Sequence, residues 1–457
     1  MKETIAAVST AISTSGISIV RISGPEALDI ADRIYRSPSK NKKLREVPTH
    51  TIHYGFIHDG DEEIDQVLVM VMRAPHTFTG EDTVEINCHG GILVTGRVLR
   101  TVLSHGAVPA GPGEFSKRAF LNGHMDLTQA EAVMDLIESK NDLSRHNSLS
   151  RIKGLLQKKL GSLRSGILYE VAFIESALDD PEHISLEGYP VQLKEKLYTF
   201  LKEMDDLLKT CEQGKLIQEG VRTVILGKPN AGKSSLLNRM LGEERAIVTD
   251  IAGTTRDTLE EYMNLGGITL HLTDTAGIRR TTDKVEKIGV DRAMERAEQA
   301  DLILFVADST SGLDDDDRQI LKLLEGKKAI ILYNKTDLPP VMDIRELEES
   351  SGHRVLPVSV KENTGLKELE AEIRSLFFSG SLNQEEDVWI TSERHRHLLL
   401  EAKDAVGQVL ISIEQGLPED FYTIDLMAAY ESLGKITGEE AGEDLINEIF
   451  SRFCVGK

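Results

Sequence analysis

Apolar positions recur along this chain with two different periods, and the change of period divides it into segments. Up to about residue 120 short strand-like runs are interleaved with helical ones. GISIVRIS at 16–23 reads as a strand, and PEALDIADRIYR at 25–36 as a helix with Pro25 near its first turn. HTIHYGFIHDG and EIDQVLVMVMRA alternate with period two and predict a hairpin across Asp59-Gly60. TVEINCHGG ends a further strand, and ILVTGRVLRTVLSHG reads as an amphipathic helix stopped by Gly106. These elements imply a compact α+β domain.

From about Asp126 the apolar spacing becomes three and four, and it stays so to about residue 179. Thr128 with Glu131 reads as a capping box at the start of this stretch. Pro181 to Pro190 interrupts the pattern, and VQLKEKLYTFLKEMDDLLKTCEQG resumes it. The same character returns from about Thr391 to Phe453. Between the two helical stretches lie apolar runs at Val221–Leu226, ITLHLT, AIILY and VLPV, each followed by a turn or a helical pattern. The expected fold is therefore multidomain α/β and α. It has an N-terminal α+β domain at 1–120, a helical domain split into 121–216 and 380–457, and an α/β domain at 217–379 inserted between the two pieces. Segments that flank an insertion lie close in space, which favours one split helical domain over two bundles.

The chemistry concentrates in the inserted segment. GKPNAGKSS at Gly227–Ser235 sits between a predicted strand and a predicted helix, and meets G-x-x-x-x-G-K-[ST] at Gly227, Gly232, Lys233 and Ser234. Glycines let successive backbone N–H groups wrap an anion at a helix N-terminus. Lys233 then reaches the β- and γ-phosphates, and the Ser234 hydroxyl ligates Mg²⁺. Asp274-Thr275-Ala276-Gly277 follows ITLHLT, where a carboxylate can hold the magnesium shell and a glycine amide can meet the γ-phosphate. Asn334-Lys335-Thr336-Asp337 follows AIILY, and the Asp337 carboxylate can accept two hydrogen bonds from guanine. Adenine lacks that pair of donors and would leave the carboxylate unpaired. Ser359-Val360-Lys361 follows VLPV, where a backbone amide can meet the guanine oxygen. Together these motifs resemble a translation-factor-like GTPase domain from about Val221 to Phe378. The position directly after the DTAG motif, where a Ras-like switch carries its water-orienting glutamine, is Ile278. The run Asp314–Asp317 reads as a solvated loop rather than a metal site.

Composition adjusts this picture in three ways. The 457 residues allow two to four domains. A net charge of −22 makes the chain a poor nucleic-acid binder by itself, so a partner is expected to carry much of any grip on RNA. Cys88, Cys211 and Cys454 are too far apart for a disulfide framework and suggest a reducing cytoplasm. No apolar run reaches membrane-spanning length, and no membrane partner is expected. Cys88-His89 reads as structural, since neighbours on a strand point to opposite faces.

Further landmarks carry a resemblance along the whole chain. VRISG at Val20–Gly24, PGEFSKRAFLNG at Pro112–Gly123, DLTQAEAV at Asp126–Val133, GTTRD at Gly253–Asp257 and the terminal Cys454-Val455-Gly456-Lys457 resemble the MnmE (TrmE) tRNA-modification GTPase family. The resemblance implies a potassium-stimulated GTP hydrolase. Its potassium ion would be held by the Asn230 side chain and by carbonyls of Thr249, Ile251 and Thr254, with Thr255 joining Ser234 on Mg²⁺. Nucleotide contacts would come from Asn230, Ala231, Gly232, Lys233, Ser234 and Ser235, and from Thr249, Asp250, Ile251, Ala252, Gly253, Thr254 and Thr255. Asp274, Thr275, Ala276, Gly277, Asn334, Lys335, Asp337, Ser359, Val360 and Lys361 complete the set. Glu286 matches the family's water-orienting glutamate, and Cys454 its tail cysteine needed for modification. Arg21, Glu85 and Lys457 match positions that contact a tetrahydrofolate derivative, 5-formyl- or 5,10-methylene-tetrahydrofolate, and His124 stands at a further such position, where it departs from the Lys or Arg the family often carries. The family implies a homodimer and a heterotetramer with the FAD-dependent MnmG, the flavin residing on that partner. The complex adds an aminomethyl or carboxymethylaminomethyl group to C5 of the wobble uridine of certain tRNAs. The competing expectation is a GTP-gated scaffold for ribosome assembly without folate chemistry.

Overall fold

The structure is a computed structural model that describes residues 3–39, 42–243, 261–272, 297–378, 388–439 and 441–456. Contacts divide it into two compact units, which are taken separately. One gathers 1–134, 152–169 and 430–457; the other holds 135–151 and 170–429.

The first unit is built on a seven-stranded sheet. Its strands are β1 (Ile5–Val8), β2 (Ser18–Ser23), β3 (Tyr35–Arg36), β4 (Thr51–Asp59), β5 (Glu62–Met72), β6 (Thr83–Cys88) and β7 (Val108–Pro109), in the order β3-β4-β5-β6-β2-β1-β7. Its pairs are antiparallel except β1 with β7. The alternation read from sequence is what the pleat uses: Val67, Val69 and Val71 are buried while Leu68 between them is exposed. Helices α1 (Ala27–Ile34) and α2 (Ile92–Ser104) supply Ile30, Ile34, Val98 and Val102 to one core with Val20, Ile22, Val84 and Ile86. Tyr35 and Arg36, expected as the end of α1, instead pair with Ile57 and Phe56. A β-branched neighbour and an aromatic ring favour extended backbone at that point, and sheet pairing decides it.

Helix α3 (Glu114–Leu121) follows β7, and α4 (Leu127–Ile137) follows α3. The cap of α4 corrects the sequence reading. Asp126, not Thr128, accepts from the Gln129 N–H at 2.8 Å, and the Gln129 side chain accepts from the Asp126 N–H at 2.9 Å. This is the capping-box reciprocity shifted two residues upstream, while Thr128 is buried inside the helix. The final helix of the chain, Glu443–Ser451, packs Ile446 and Phe450 with Phe453 against Leu127, Ala130 and Met134. Segments more than 300 positions apart in sequence thus share one core.

The second unit carries the α/β layer. Strands β8 (Val221–Leu226), β9 (Glu261–Leu265), β10 (Ile268–Leu272), β11 (Leu302–Asp308), β12 (Ala329–Asn334) and β13 (Arg354–Pro357) form a six-stranded sheet in the order β13-β12-β11-β8-β10-β9. Only β9, on the edge, runs antiparallel. Strands buried on both faces read as continuous apolar runs, which is why Ala329–Tyr333 shows no alternation. Two apolar layers, one with Leu304 and Leu332 and one with Phe305 and Ile331, lie on opposite faces. Helix α5 (Asp142–Ile152), the long α6 (Leu155–Asp179) and α7 (Tyr189–Glu219) precede this sheet in sequence. Helix α8 (Lys233–Glu243) follows β8, α9 (Asp315–Leu323) follows β11, α10 (Ile344–Ser351) follows β12, and α11 (Leu366–Phe377) follows β13. Then come α12 (Glu393–Glu414), which packs along α7, α13 (Asp420–Thr437) and the final helix, α14. The Asp314–Asp317 run is not a solvated loop: Asp314 caps α9 and Asp317 is 1 % exposed.

Candidate nucleotide and cofactor sites

The phosphate loop is shaped by residues that tolerate unusual backbone. Gly227 at φ 146° would drive a Cβ to 2.4 Å from the Val306 carbonyl, and Gly232 at φ 106° would drive one to 2.2 Å from Asn334 Nδ2. Only glycine fits at either place. Asn230 takes φ 62°, a left-handed value that asparagine accepts more readily than most residues. Lys233 opens α8, and its ammonium donates to the carbonyls of Gly227 and Lys228, both at 2.6 Å. Burial pushes this amine below its usual range, and a bound phosphate would restore the charged form. Ala231 is buried beneath the loop, Ser234 is half-buried and Ser235 is exposed.

The two motifs expected to read the base meet this loop. Asn334 Nδ2 donates to the Ala231 carbonyl at 2.8 Å, and its Oδ1 accepts from the Val360 N–H at 3.4 Å. Asp337 accepts from the Ser359 hydroxyl at 2.7 Å and lies 3.7 Å from the Lys361 ammonium. The Ser359 hydroxyl, then Lys361, hold its carboxyl below the usual carboxylate range, so it stays an acceptor. Lys335, at φ 66°, pairs with Asp308 at 2.5 Å. Burial works against the Asp308 carboxylate, but Lys335 and Thr310 together hold its carboxyl below the usual range. Asn230, Ala231, Gly232, Lys233, Ser234, Asn334, Lys335, Asp337, Ser359, Val360 and Lys361 thus belong to one constellation.

Sequence reasoning missed one member of that constellation. Lys228 extends from the loop to Asp314 at 2.8 Å and Asp317 at 2.5 Å. Burial disfavours its charge, yet the two carboxylates raise its affinity for the proton. Burial raises the Asp317 carboxyl as well. The acidic run was visible in the sequence, but nothing local indicated that it would face a lysine 86 positions away.

Thr249, Asp250, Ile251, Ala252, Gly253, Thr254, Thr255, Asp274, Thr275, Ala276, Gly277, Glu286 and Lys457 lie outside the described residues. For the metal ions the residues present fit as far as they reach. Asn230 is exposed and its amide makes no hydrogen bond among the described residues, leaving a carbonyl oxygen for a cation. Ser234 stands at the second position of α8, where the motif places a magnesium ligand.

A second constellation lies in the first unit. Arg21 on β2 and Glu85 on β6 are direct register partners, paired at 2.8 Å with both side chains largely covered. The Arg21 guanidinium also lies 5.5 Å from the Phe115 ring centre and 5.9 Å from that of Phe78. The C-terminal tail is docked here. Val455 bridges to Pro112, the Cys454 carbonyl accepts from the Gly113 N–H at 3.3 Å, and the Gly456 carbonyl accepts from Ser9 at 3.1 Å and Arg21 at 3.3 Å. Cys454 itself is exposed. His124 is exposed too, its ring against Gly80 in the turn that presents Phe78. Glu85 spends one oxygen on Arg21 and keeps the other without a hydrogen bond among the described residues. A carboxylate oxygen left over from the pair with Arg21, whose guanidinium lies near two aromatic rings, suits the paired donors of a pterin, so the residues fit a folate. Cys88 is buried against the Ser18 carbonyl while His89 points out to Asp65, which agrees with a structural role.

Comparison with known proteins gives the family. A model described as the MnmE helical domain matches residues 127–454, and one described as the GTP-binding protein TrmE N-terminus matches 4–124. The tRNA modification GTPase MnmE of Lachnoclostridium phytofermentans is 52 % identical over 455 residues, covering 100 % of this chain and 99 % of its own. That of Enterococcus faecalis is 49 % identical over 459 residues, covering 100 % and 98 %. Among solved structures, the G domain of the T. maritima FeoB iron transporter is 29 % identical over 34 % of this chain and 97 % of its own, at a TM-score of 0.26. No helix among the described residues is long and apolar enough to cross a membrane. With both family models in place and full-length relatives at half identity, the chain belongs to the MnmE (TrmE) family of tRNA modification GTPases.

Proposed function

We propose that this GTPase is stimulated by potassium and acts with an FAD-dependent MnmG-type partner. Together they would add an aminomethyl or carboxymethylaminomethyl group to C5 of the wobble uridine of certain tRNAs, with a one-carbon unit from a tetrahydrofolate derivative. The observation that carries this reading is the docking of the C-terminal tail onto Arg21, beside Glu85 and Phe115. A GTP-gated scaffold has no use for a tail held against an aromatic, charge-paired cluster. Glu85 would accept from the pterin, Arg21 would hold the arrangement, and the Cys454 thiol would face the reacting carbon.

At the nucleotide, Lys233 would leave its two loop carbonyls for the phosphates, and Asp337 would select guanine. Potassium, when bound, supplies positive charge beside the β–γ bridge. Asn230 would supply one ligand, and Glu286 would orient the attacking water. The exposed apolar side chains Ile52, Tyr54 and Leu68 on β4 and β5 suit a second copy of the chain. The charge of −22 favours leaving much of the RNA contact to the partner.

Equilibrium dialysis of the full chain with 5-formyl-tetrahydrofolate tests the folate reading. Saturable binding that weakens about tenfold or more in Arg21→Ala and Glu85→Gln is expected. No saturable binding by the native chain would remove it in favour of the scaffold.

A further inference from the structure

The phosphate loop passes through left-handed or glycine-only backbone at Gly227, Asn230 and Gly232. Such a path persists only when neighbouring contacts over-determine it. Three ties hold it. Asn334 fastens the Ala231 carbonyl at the rear. Lys233 donates to the Gly227 and Lys228 carbonyls at the front. The Lys228 side chain reaches Asp314 and Asp317 at the start of α9, and the Gly312 carbonyl at 3.4 Å. The second tie is temporary, because the ammonium of this motif is the group that turns to the β- and γ-phosphates. When it turns, the third is the side-chain tie that remains at the front of the loop among the described residues, beside the Ala231 N–H that donates to the Lys228 carbonyl at 3.3 Å.

The third tie is built for rigidity. Asp314 accepts from the Asp317 N–H at 3.1 Å, and Asp317 Oδ2 accepts from the Asp314 N–H at 3.3 Å, so both carboxylates are fixed by the capping box of α9. Asp317 is 1 % exposed and Lys228 17 %, so solvent screens the pair weakly. Among the described residues Asp317 Oδ1 makes no hydrogen bond, which leaves Lys228 as the charge there that compensates it.

We propose that Asp314 and Asp317 are positioning residues for nucleotide binding, acting through Lys228 to hold the front of the phosphate loop wrapped once Lys233 has turned to the phosphates. The proposal rests on the reading of Gly227–Ser235 as the nucleotide site. It assigns a task to an acidic run that the family resemblance leaves without one.

Stopped-flow dissociation of fluorescently labelled GDP from the full-length chain, beside steady-state GTP turnover, tests it. Asp317→Asn keeps shape and an acceptor but removes the charge. It should speed GDP release and raise KM for GTP about five- to tenfold, with kcat changed less than about twofold. Lys228→Met should do the same, and Lys228→Arg should return release to near the native rate. The triple variant Lys228→Met/Asp314→Asn/Asp317→Asn should be no worse than Lys228→Met, since all three act in one contact. Native release rates in Asp317→Asn, or a lowered Tm with unchanged release, would overturn the clamp. Losses that multiply in the triple variant would do so too. Should the native chain bind no guanine nucleotide, the site reading itself falls, and that outcome is separate from native-like binding by Asp317→Asn.

Discussion

Asp337 shows what a single residue decides here. Its carboxylate is already oriented by the Ser359 hydroxyl at 2.7 Å and, in the function proposed above, would be the acceptor that distinguishes guanine from adenine. Asp337→Asn should weaken GTP binding at least about a hundredfold and improve the ratio of xanthosine to guanosine nucleotide, as read by competition binding. The pH dependence follows from the direction of its shift. Its folded carboxyl lies below the usual carboxylate range, so the ionised acceptor is present above that range and is lost only as pH falls through the depressed value. Guanine affinity should therefore be flat from about pH 8 to about pH 5, by fluorescence titration. Residue identities of this kind were legible in the sequence because each motif places one chemical group at a fixed offset from a strand. The Lys228 clamp was not, because its partners lie on another element and only the fold brings them together.

At the scale of elements, two junctions carry the arrangement. Asn141, just before α5, donates from one amide to the Ile217 carbonyl at 2.9 Å and the Thr269 hydroxyl at 2.8 Å, and accepts from the Ser144 N–H at 2.7 Å. It thereby joins α5, the end of α7 and strand β10 with all its polar atoms buried. Asn141→Ala leaves these partners unsatisfied and should lower the stability of this unit by about 2–3 kcal/mol in urea unfolding. The second junction is the tail. Gly456 sits at φ 92°, and a Cβ there would stand 2.3 Å from the Val8 carbonyl. Gly456→Ala should release the tail, seen as faster removal of the last residues by carboxypeptidase, with GTP hydrolysis unchanged. Periodicity located most of these helices and strands, since it reports which face is buried. It misplaced the α4 cap, where Thr128 and Glu131 matched the pattern but the Asp126 carboxylate is the stronger acceptor and Gln129 answers it. It also ran α1 through Tyr35 and Arg36, because pairing with β4 is a long-range contact that local spacing does not contain.

For the whole molecule, the phosphate-loop constellation and the Arg21–Glu85 constellation, the latter proposed above as a one-carbon site, belong to different compact units. GTP hydrolysis needs a source of positive charge at the phosphates. Ile278 stands where a Ras-like switch would carry glutamine, and Asn230 holds out an amide oxygen with no partner among the described residues. A monovalent cation at that oxygen would supply the charge. The direct measurement is steady-state GTP turnover by the full-length native chain and by Asn230→Ala, each in potassium and in sodium at equal ionic strength. Turnover of the native chain should be at least about tenfold faster in potassium, with that advantage gone in Asn230→Ala. Equal turnover in the two salts, or a potassium advantage that survives the loss of Asn230, would contradict it.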